Sequence, residues 1–468
     1  MIFVVEFSPE RLIVAGRRFD RQDKLDRMFQ RHLRVTLVPV FVLMLAASYV
    51  LTAQKDQKVE PADLHRPTKT PDRIILTWSD DPATTQSVTW RTETSVTSAL
   101  AEIAPADDGP LFVKTAAQVK ATTAGFKTDL SLSHVHSATF TGLKPNTLYV
   151  YRVGDGWNWS EWSHFRTAGS KTDPLTFVYV GDAQNDIFSM WSRVIRMAYT
   201  VAPQTRFIVH AGDLINSANK DDEWGDWFRA AGWINQTIPS FPSPGNHEYA
   251  RGLKGRDLTG HWRPTFTLPE NGPAGLEESC YYLDIQGIRM ISLNSNEKQQ
   301  EQVEWIDKVL ADNPNEWAIL TFHHPIFSAA KGRDNKDLRE LWQPIFDKHK
   351  VDLVLTGHDH TYARSNMRTG MNVRSTDAGT VYVVSVSGPK MYNLERETWM
   401  ARGAEDTQLF QVIRVEGQKL TYESRTARGI LYDAFELRKR RNRPNQLINR
   451  IPESPSERLR DSNAVSGG

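Results

Sequence analysis

Five short polar motifs, each placed directly after an apolar stretch, constrain the fold of this sequence more than any other feature. They are GDAQ (181–184), GDLIN (212–216), GNHE (245–248), HHP (323–325) and GHDH (357–360). Each carries aspartate, asparagine or histidine, which bind metal ions through oxygen or imidazole nitrogen. A single Gly-Asp after a strand is usually a turn or a helix cap. Five such motifs in succession favour one shared site on one face of a sheet.

The segments around the motifs alternate between apolar strands and helical stretches. The strands read TFVYVGD, RFIVHAGD, WAILTFHHP and VDLVLTGHDH. Helical patterns begin near Phe188, run through 223–234, and recur in QQEQVEWIDKVLAD and over 338–349. This alternation predicts an α/β domain over 172–438, with loops gathered at the carboxyl ends of the strands. We therefore expect the chemistry to lie at those ends.

A different pattern covers residues 71–167. Short segments rich in β-branched and aromatic residues are separated by Pro, Asn, Gly and Asp; they read RIILTW, QSVTWRT, HSATFTGL, LYVYRV and SEWSHFRT. They predict a small all-β sandwich. The segment GLKPNTLYVYRV resembles a turn and strand of fibronectin type III domains, which implies that Tyr149 or Tyr151 closes a corner. Such a domain either binds a partner or is a spacer packed on the α/β domain.

Both ends of the chain are expected to lie outside these domains. An uncharged apolar run from Val35 to Thr52 makes residues 1–53 an N-terminal extension, either a cleaved signal peptide or a membrane anchor. A polar linker with two prolines follows over 54–70. We predict export to the periplasm, the cell surface or the medium, with membrane anchoring if the run is not cleaved. The charged, aperiodic segment 439–468 is predicted to be a disordered tail.

Composition excludes several classes of function. With 57 Lys and Arg against 56 Asp and Glu, the formal charge is +1. This balance offers no broad surface for nucleic acid, so we expect no nucleic-acid binding outside an active site. The single cysteine, Cys280, excludes an intramolecular disulfide and a cysteine-cluster metal site. Oxygen and imidazole ligands remain, and the oligomeric state stays open.

In this order the five motifs resemble those of the calcineurin-like metallophosphoesterase superfamily, and the β-sandwich in front resembles the purple acid phosphatase branch. The resemblance covers about residues 70–435. It implies a four-layer α/β metallophosphoesterase sandwich flanked by helices, preceded by the small all-β domain. It also implies acid phosphatase-like hydrolysis of a small phosphate monoester, with two divalent or trivalent ions of iron, zinc or manganese activating water.

The resemblance assigns roles to individual motif residues. The implied ligands are Asp182 and His360 for the first metal, Asp213 as the bridging carboxylate, and Asn246, His323 and His358 for the second metal. His247 is expected beside the reacting phosphate. There it either acts on the developing charge and the leaving oxygen, or orients Asn246 without touching the substrate.

Two positions depart from the family pattern. Purple acid phosphatases place a tyrosine three residues after the bridging aspartate, whereas this chain has Asn216. Without a phenolate ligand, the purple colour has no obvious source, and selectivity for ferric iron falls. Gln184 stands where many members of the superfamily have a histidine ligand. Its amide oxygen either binds the first metal or the residue only shapes the turn.

Three further residues are expected near the site. His324 follows the implied ligand His323 and is expected to support the ligands rather than bind metal, because adjacent side chains on an extended segment diverge. Lys331 and Arg333 lie in SAAKGRDNKD, which follows the HHP motif. This segment is either a mobile phosphate-catching lid or a solvated loop.

Two other functions compete with monoester hydrolysis. A phosphodiesterase or nucleotide pyrophosphatase would use the same metals and differ in the width of its pocket. A function of another class, an exported binding protein with a residual metal site, is opposed by the complete set of implied ligands.

Overall fold

The computed structural model describes residues 59–252, 255–370 and 378–460. The chain divides into two compact units, Met1–Leu64 and His65–Gly468. Within the described part of the first unit lies one short helix, α1 (Pro61–Leu64). The apolar run from Val35 to Thr52 falls outside the described residues. Among the helices that are described, none has both the length and the hydropathy to cross a membrane.

The first part of the second unit is a small β-sandwich, as the sequence predicts. Its strands are β1 (Asp72–Thr77), β2 (Gln86–Thr92), β3 (Leu100–Pro105), β4 (Ala117–Lys120), β5 (Thr122–Lys127), β6 (Leu132–Phe140), β7 (Leu148–Gly154) and β8 (Ser163–Arg166). They form two four-stranded sheets, in the orders β1-β2-β6-β5 and β4-β3-β7-β8. Trp90, Phe140 and Phe165 are buried between them. Tyr149 makes the corner contact, because its hydroxyl oxygen accepts a hydrogen bond from the Lys144 N–H at 2.9 Å.

The rest of the chain forms the α/β domain. Its strands are β9 (Leu175–Val180), β10 (Ile208–Ala211), β11 (Ser240–Ser243), β12 (Tyr249–Arg251), β13 (Arg256–Leu258), β14 (Tyr281–Ile285), β15 (Ile288–Ser292), β16 (Trp317–Thr321), β17 (Leu353–Thr356), β18 (Tyr362–Ser365), β19 (Val381–Val384), β20 (Met400–Ala404), β21 (Leu409–Glu416), β22 (Lys419–Thr426), β23 (Leu431–Arg440) and β24 (Arg443–Asn449). Its helices are α2 (Ser192–Val201), α3 (Asp221–Ala231), α4 (Ile234–Thr237), α5 (Trp262–Thr265), α6 (Gln302–Ala311) and α7 (Lys336–His349).

Two seven-stranded sheets form the centre of this domain, in the orders β11-β10-β9-β21-β22-β23-β24 and β14-β15-β16-β17-β19-β18-β20. Apolar residues of α2, including Val194 and Ile195, pack on the first sheet. Those of α6 and α7, including Ile306 and Phe346, pack on the second. Each sheet therefore carries helices on its outer face, which confirms the predicted four-layer architecture.

The predicted disordered tail over 439–468 is wrong for the residues that the structure describes. Strand β24 pairs antiparallel with β23 at the edge of the first sheet. Beyond it, Glu457 accepts a hydrogen bond from the Gly403 N–H at 2.7 Å, and Arg460 pairs with Asp406 at 2.6 Å. Backbone pairing needs no apolar composition, and an edge strand keeps its charged side chains in water. The composition of this segment therefore conceals its strand.

The β-sandwich packs directly on the α/β domain. The side chains of Ile75 and Trp78 join the main core of that domain. At the same surface, the Tyr151 hydroxyl donates to the Gln236 carbonyl at 2.8 Å, and the Thr77 hydroxyl donates to the Thr267 carbonyl at 2.7 Å. The sandwich and the α/β domain therefore form one folded unit. This packing favours the interpretation of the sandwich as a spacer.

Candidate metal centre

All five motifs lie at strand ends, but they come from both sheets. GDAQ, GDLIN and GNHE follow β9, β10 and β11 of the first sheet, whereas HHP and GHDH follow β16 and β17 of the second. The prediction of a single sheet is therefore wrong, although the motifs do meet. The parallel strands of each sheet end at the same edge, and the two sheets place those edges side by side.

The backbone at four of the implied ligands is left-handed. Asp182, Asp213, His358 and His360 have φ values of 47°, 52°, 73° and 49°. Residues other than glycine pay a steric cost for this conformation, of order 1 to 2 kcal/mol each. Such strain persists where the surrounding structure holds it, which is most often at functional sites. In this case the His358 N–H donates to both carboxylate oxygens of Asp182 at 2.9 Å.

The implied ligands of the second metal converge most closely. Asn246 Oδ1 lies 3.0 Å from His323 Nε2 and 2.9 Å from His358 Nδ1, and the two imidazole nitrogens are 3.1 Å apart. Asp213 Oδ2 lies 3.1 Å from the same His323 nitrogen. His323 Nδ1–H donates to the Ala211 carbonyl at 2.9 Å, so Nε2 faces this group. Four ligand atoms thus face one point.

The implied ligands of the first metal are adjacent. Asp182, Asp213 and His323 offer ligand atoms that all lie within 4.8 Å of one another. His360 Nε2 is 3.7 Å from Asp182 Oδ1, and the other ring nitrogen of His360 donates to the Lys390 carbonyl at 2.9 Å. Asp213 therefore belongs to both groups, as its predicted bridging role requires.

Gln184 is buried between the two groups. Its Nε2 donates to Asp213 Oδ2 at 3.0 Å and lies 2.9 Å from His360 Nε2. Its Oε1 is buried without a hydrogen-bond partner among the described residues. Gln184 therefore touches two implied ligands, and both interpretations of it, as a ligand or as a residue that shapes the turn, remain.

Burial perturbs the acids and the imidazoles in opposite ways. Burial raises the pKa of Asp182 well above its usual value, and burial together with the charge of Asp213 raises the pKa of Glu248 to about 7. Burial lowers the pKa of His323, but the Asp213 carboxylate outweighs it and raises that pKa to about 9. Burial, followed by Lys390, lowers the pKa of His360 to about 3. Burial thus opposes the charged form of Asp182, Glu248 and His360, and only the Asp213–His323 pair keeps its charges. Bound cations would stabilise the ionised carboxylates of such a cluster.

These observations fit a metal pair. The cluster offers carboxylate, carboxamide and imidazole donors, the set that suits zinc, iron or manganese. His323 and His360 each turn Nδ1 to a backbone carbonyl and so present Nε2 to the cluster, the orientation that metal binding requires. A buried amide oxygen, that of Gln184, has no partner within the described part of the chain.

His247 lies beside the cluster with its ring fixed. Its backbone N–H donates to Asp213 Oδ1 at 2.8 Å, and its Nδ1–H donates to the Asn216 carbonyl at 2.5 Å. The remaining nitrogen, Nε2, is therefore left for another partner. Asn216 occupies the expected tyrosine position, but its side chain accepts from Asn185 Nδ2 at 3.2 Å. The backbone of Asn216, rather than its amide, serves the site.

Residues near the HHP motif lie where the sequence expects them, with one difference. The ring of His324 packs against that of His358, with 4.3 Å between centroids, and its Nδ1 is 2.8 Å from the Ser295 hydroxyl. Lys331 is exposed. Arg333, in contrast, donates to the His358 carbonyl at 3.0 Å. This contact ties the segment to the site and favours an ordered loop over a mobile lid.

Sequence reasoning missed two acids that hold the motif loops. Glu248 is buried and accepts hydrogen bonds from the N–H groups of Asp213, Leu214 and Gly245 at 2.9, 2.8 and 2.6 Å. Asp359 accepts from the Ser328 hydroxyl at 2.7 Å and so anchors the start of the segment after HHP. Both acids were visible as the unassigned carboxylates of GNHE and GHDH.

Gly245 and Gly357 allow the loops to approach the ligands closely. A Cβ on Gly245 would clash with the Asp213 carboxylate, and one on Gly357 would clash with that of Asp182. Only glycine fits at positions where another group approaches the backbone this closely. The glycines of the motifs are therefore required by packing at the site.

Comparisons with known proteins agree with this architecture. The family model of the purple acid phosphatase N-terminal domain matches residues 71–167, and that of the calcineurin-like phosphoesterases matches residues 175–362. An uncharacterised protein of Mycobacterium tuberculosis is 28% identical over 284 residues, 52% of this chain and 52% of that protein. Purple acid phosphatase 15 of Arabidopsis thaliana is 25% identical over 290 residues, 54% of this chain and 53% of that protein. The chain thus spans about half the length of these relatives.

A solved structure shares the fold. Purple acid phosphatase PPD1 from yellow lupin (Lupinus luteus) seeds superposes with a TM-score of 0.68 at 20% identity, covering 79% of this chain and 74% of that one. The two matched domains occur here in the order that the sequence resemblance implies. Together, the two family matches and the shared fold support a purple acid phosphatase-like metallophosphoesterase.

Proposed function

We propose that this chain hydrolyses phosphate monoesters at a dinuclear metal centre, as an acid phosphatase-like enzyme. The observation that carries the proposal is that ligand atoms of four residues converge, namely those of Asn246, His323, His358 and Asp213. Asp213 also lies in a second group of ligand atoms, together with Asp182. When bound, two cations lower the pKa of a water molecule, hold the phosphoryl oxygens and offset charge in an in-line displacement. Iron, zinc and manganese all suit these donors.

The protein supplies ligands whose orientation is already set. Asn246, His323 and His358 would hold one ion, Asp182 and His360 the other, with Asp213 between them. Backbone carbonyls fix His323 and His360, and the Asp182 carboxylate fixes the backbone of His358. This preorganisation supports the proposal because the ligands need not reorganise when the ions bind.

His247 is the group proposed to act on the substrate. Since Nδ1–H donates to the Asn216 carbonyl, Nε2 is the nitrogen that can exchange a proton with the leaving oxygen or stabilise charge on the phosphoryl group. The alternative is that His247 only orients Asn246, its neighbour in the chain. The two roles differ in their effect on turnover, because an orienting residue would act through metal affinity.

The test compares an aryl phosphate monoester with the matching aryl diester in one preparation, after reconstitution with manganese, iron and zinc in turn. We expect metal-dependent monoester turnover that exceeds diester turnover. A diester rate well above the monoester rate would replace this proposal with a phosphodiesterase or nucleotide pyrophosphatase. Bound metal without turnover of any phosphoester would instead favour the binding protein with a residual metal site.

We also propose that the protein is exported. The support is the apolar run from Val35 to Thr52, which follows Arg31 and Arg34 in the order of a secretory signal. N-terminal sequencing of exported material is expected to give a chain that starts near Gln54. A full-length chain recovered with the membrane fraction would favour an uncleaved anchor.

A further inference from the structure

A cleft of about 750 Å³ opens directly beside the candidate metal centre. Asn246, an implied metal ligand, and His324, whose ring packs on His358, both line it. Clefts of 300 to 1,000 Å³ are usual for small-molecule ligands. If the phosphoryl group binds at the metal centre, this adjacent cleft can take the remainder of the ester.

The charged residues of this cleft balance. Among the described residues that line it, Arg256 and Lys336 are cationic, and Asp334 and Asp337 are acidic. The Arg256 guanidinium already donates to the Asn246 and Tyr249 carbonyls, at 2.5 and 2.7 Å. A second phosphate in the cleft would therefore gain no surplus positive charge there.

Two of these four charges also pair with residues outside the lining. Lys336 lies 3.6 Å from Glu340, and Asp334 pairs with Arg339 at 2.6 Å. Because the lining charges sum to zero, a charged group that enters the cleft gains no net attraction to offset the water that it loses. This balance disfavours an anionic leaving group and favours an uncharged one.

The remaining walls combine hydrogen-bonding and apolar groups. Gln299 donates its amide to the Ser295 carbonyl at 2.9 Å, and Asn335 donates to the Pro325 carbonyl at 2.7 Å, so both amide oxygens are left to accept. Leu338 and Leu341 are half-buried and line the cleft from α7. A group with hydroxyls on its edge and an apolar face is complementary to such walls, as a sugar ring is.

We infer that this cleft holds the leaving group of the substrate, and that this group is an uncharged, hydroxyl-bearing alcohol of the size of a hexose or a nucleoside. The inference rests on the proposed phosphoester hydrolysis and names the substrate class of that site. It assigns contact with the apolar face of this group to Leu341, and the balance of charge in the cleft to Asp337, both of which line the cleft. Neither residue touches an implied metal ligand.

The experiment measures kcat/KM for methyl phosphate, glucose 6-phosphate and glucose 1,6-bisphosphate with the metal-loaded, full-length protein. For the wild type we expect glucose 6-phosphate to be preferred over the bisphosphate, whose leaving group carries an extra charge. Leu341→Trp, which fills the cleft, is expected to lower kcat/KM for glucose 6-phosphate roughly 10- to 100-fold. Methyl phosphate, whose leaving group is too small to fill the cleft, is expected to lose much less kcat/KM than glucose 6-phosphate. The control is Leu148→Trp, at a partly exposed leucine of the β-sandwich.

A second variant tests the charge balance without filling the cleft. Asp337→Asn leaves the cleft with a net positive charge and is expected to raise the preference for the bisphosphate about two- to fivefold, the size of a screened interaction between single charges. Asp108→Asn, at an exposed aspartate of the β-sandwich, is the matched control. Because Asp337 is exposed, this test stands even if Leu341→Trp fails to fold.

The outcomes separate this inference from the proposed function. A wild type that turns over methyl phosphate but prefers the bisphosphate overturns the inference alone. The same holds if Leu341→Trp slows methyl phosphate as much as glucose 6-phosphate, or if Asp337→Asn leaves the preference unchanged. A wild type that hydrolyses the aryl monoester but none of the three esters also overturns the inference alone, whereas one that hydrolyses no phosphoester refutes the proposed function and this inference with it.

Discussion

Asp221 has a buried carboxylate at the interface between the β-sandwich and the α/β domain. We expect it to contribute more to stability than any other acid at that interface. It is 0% exposed and pairs with Arg73 through two hydrogen bonds, of 2.6 and 2.9 Å. Arg91 and His261 approach it at 3.5 and 3.3 Å. Removing one partner of a buried ion pair costs about 3 to 5 kcal/mol, because the other charge stays buried. Asp221→Ala is therefore expected to lower the free energy of unfolding by about that amount.

Asp72, which pairs with the neighbouring Arg91, provides a matched control. Asp72 pairs with Arg91 through two hydrogen bonds of similar length, 2.9 and 2.7 Å, but the Asp72 side chain is 39% exposed. Exposed pairs contribute about 0 to 1 kcal/mol, and Arg91 keeps Asp221 as a partner when Asp72 is removed. Asp72→Ala is therefore expected to cost at most about 1 kcal/mol.

The assay is urea unfolding followed by tryptophan fluorescence, with slopes compared to confirm that the unfolded states expose similar surface. The double variant Arg73→Met/Asp221→Leu is expected to recover much of the loss, since apolar replacement of a buried pair is often neutral. Turnover under native conditions should persist, because Asp221 touches no implied metal ligand. A loss in Asp221→Ala within 1 kcal/mol of that in Asp72→Ala would refute the reasoning.

The effect of pH provides a second check on the same carboxylate. Burial opposes the ionisation of Asp221, but hydrogen bonds from His261 and Arg73 outweigh burial and hold its pKa below the usual value. A carboxyl with a lowered pKa stabilises the fold above its unfolded pKa of about 3.9 and loses this contribution as the pH falls through the folded value. The gap between wild type and Asp221→Ala should therefore be constant from about pH 7 to 5 and narrow below about pH 4. A gap that widens on acidification would contradict this assignment.

Three further predictions concern the metal centre. His247→Ala is expected to lower kcat roughly 10²- to 10⁴-fold with metal content retained, because its free nitrogen acts on the substrate; an unchanged kcat would confine it to orienting Asn246. Asp213→Ala is expected to lose both ions together in elemental analysis, since it is the shared ligand, and retention of one ion would exclude a bridge. An iron-loaded, oxidised sample should lack a strong visible band, because Asn216 supplies no phenolate; such a band would point to Tyr392, whose ring lies 4.7 Å from that of His360.

Sequence patterns alone were sufficient for the residue types of the site and for an α/β domain, whereas the four-layer architecture was implied by the family resemblance. Apolar strands that end in Gly-Asp or His motifs are local patterns, and alternation with helices constrains how such strands can be layered. The short strands before residue 167 likewise predict a β-sandwich from turn chemistry and β-branched residues alone. Both inferences succeed because a buried strand or helix needs the same spacing of apolar residues in any tertiary context.

The sequence was misleading where pairing, rather than composition, determines structure. Strand β24 has four exposed residues and reads as a charged tail, yet it pairs with β23 over 435–449. Its partner is recognised through backbone hydrogen bonds, which leave no trace in residue type. The same limit applied to the motifs, because nothing local indicates that HHP and GHDH lie on a different sheet from GDAQ.

Only the tertiary structure decided how the site is assembled. The rings of His323 and His360 are oriented by carbonyls of Ala211 and Lys390, which are 112 and 30 residues away in the chain. The charge balance of the cleft combines Arg256, from β13, with Lys336 and Asp337 at the start of α7. The distances between ligand atoms, the orientation of the histidine rings and the net charge of the cleft all depend on segments that packing brings together. The residue types of the site were therefore determined by the sequence, and their chemistry by the fold.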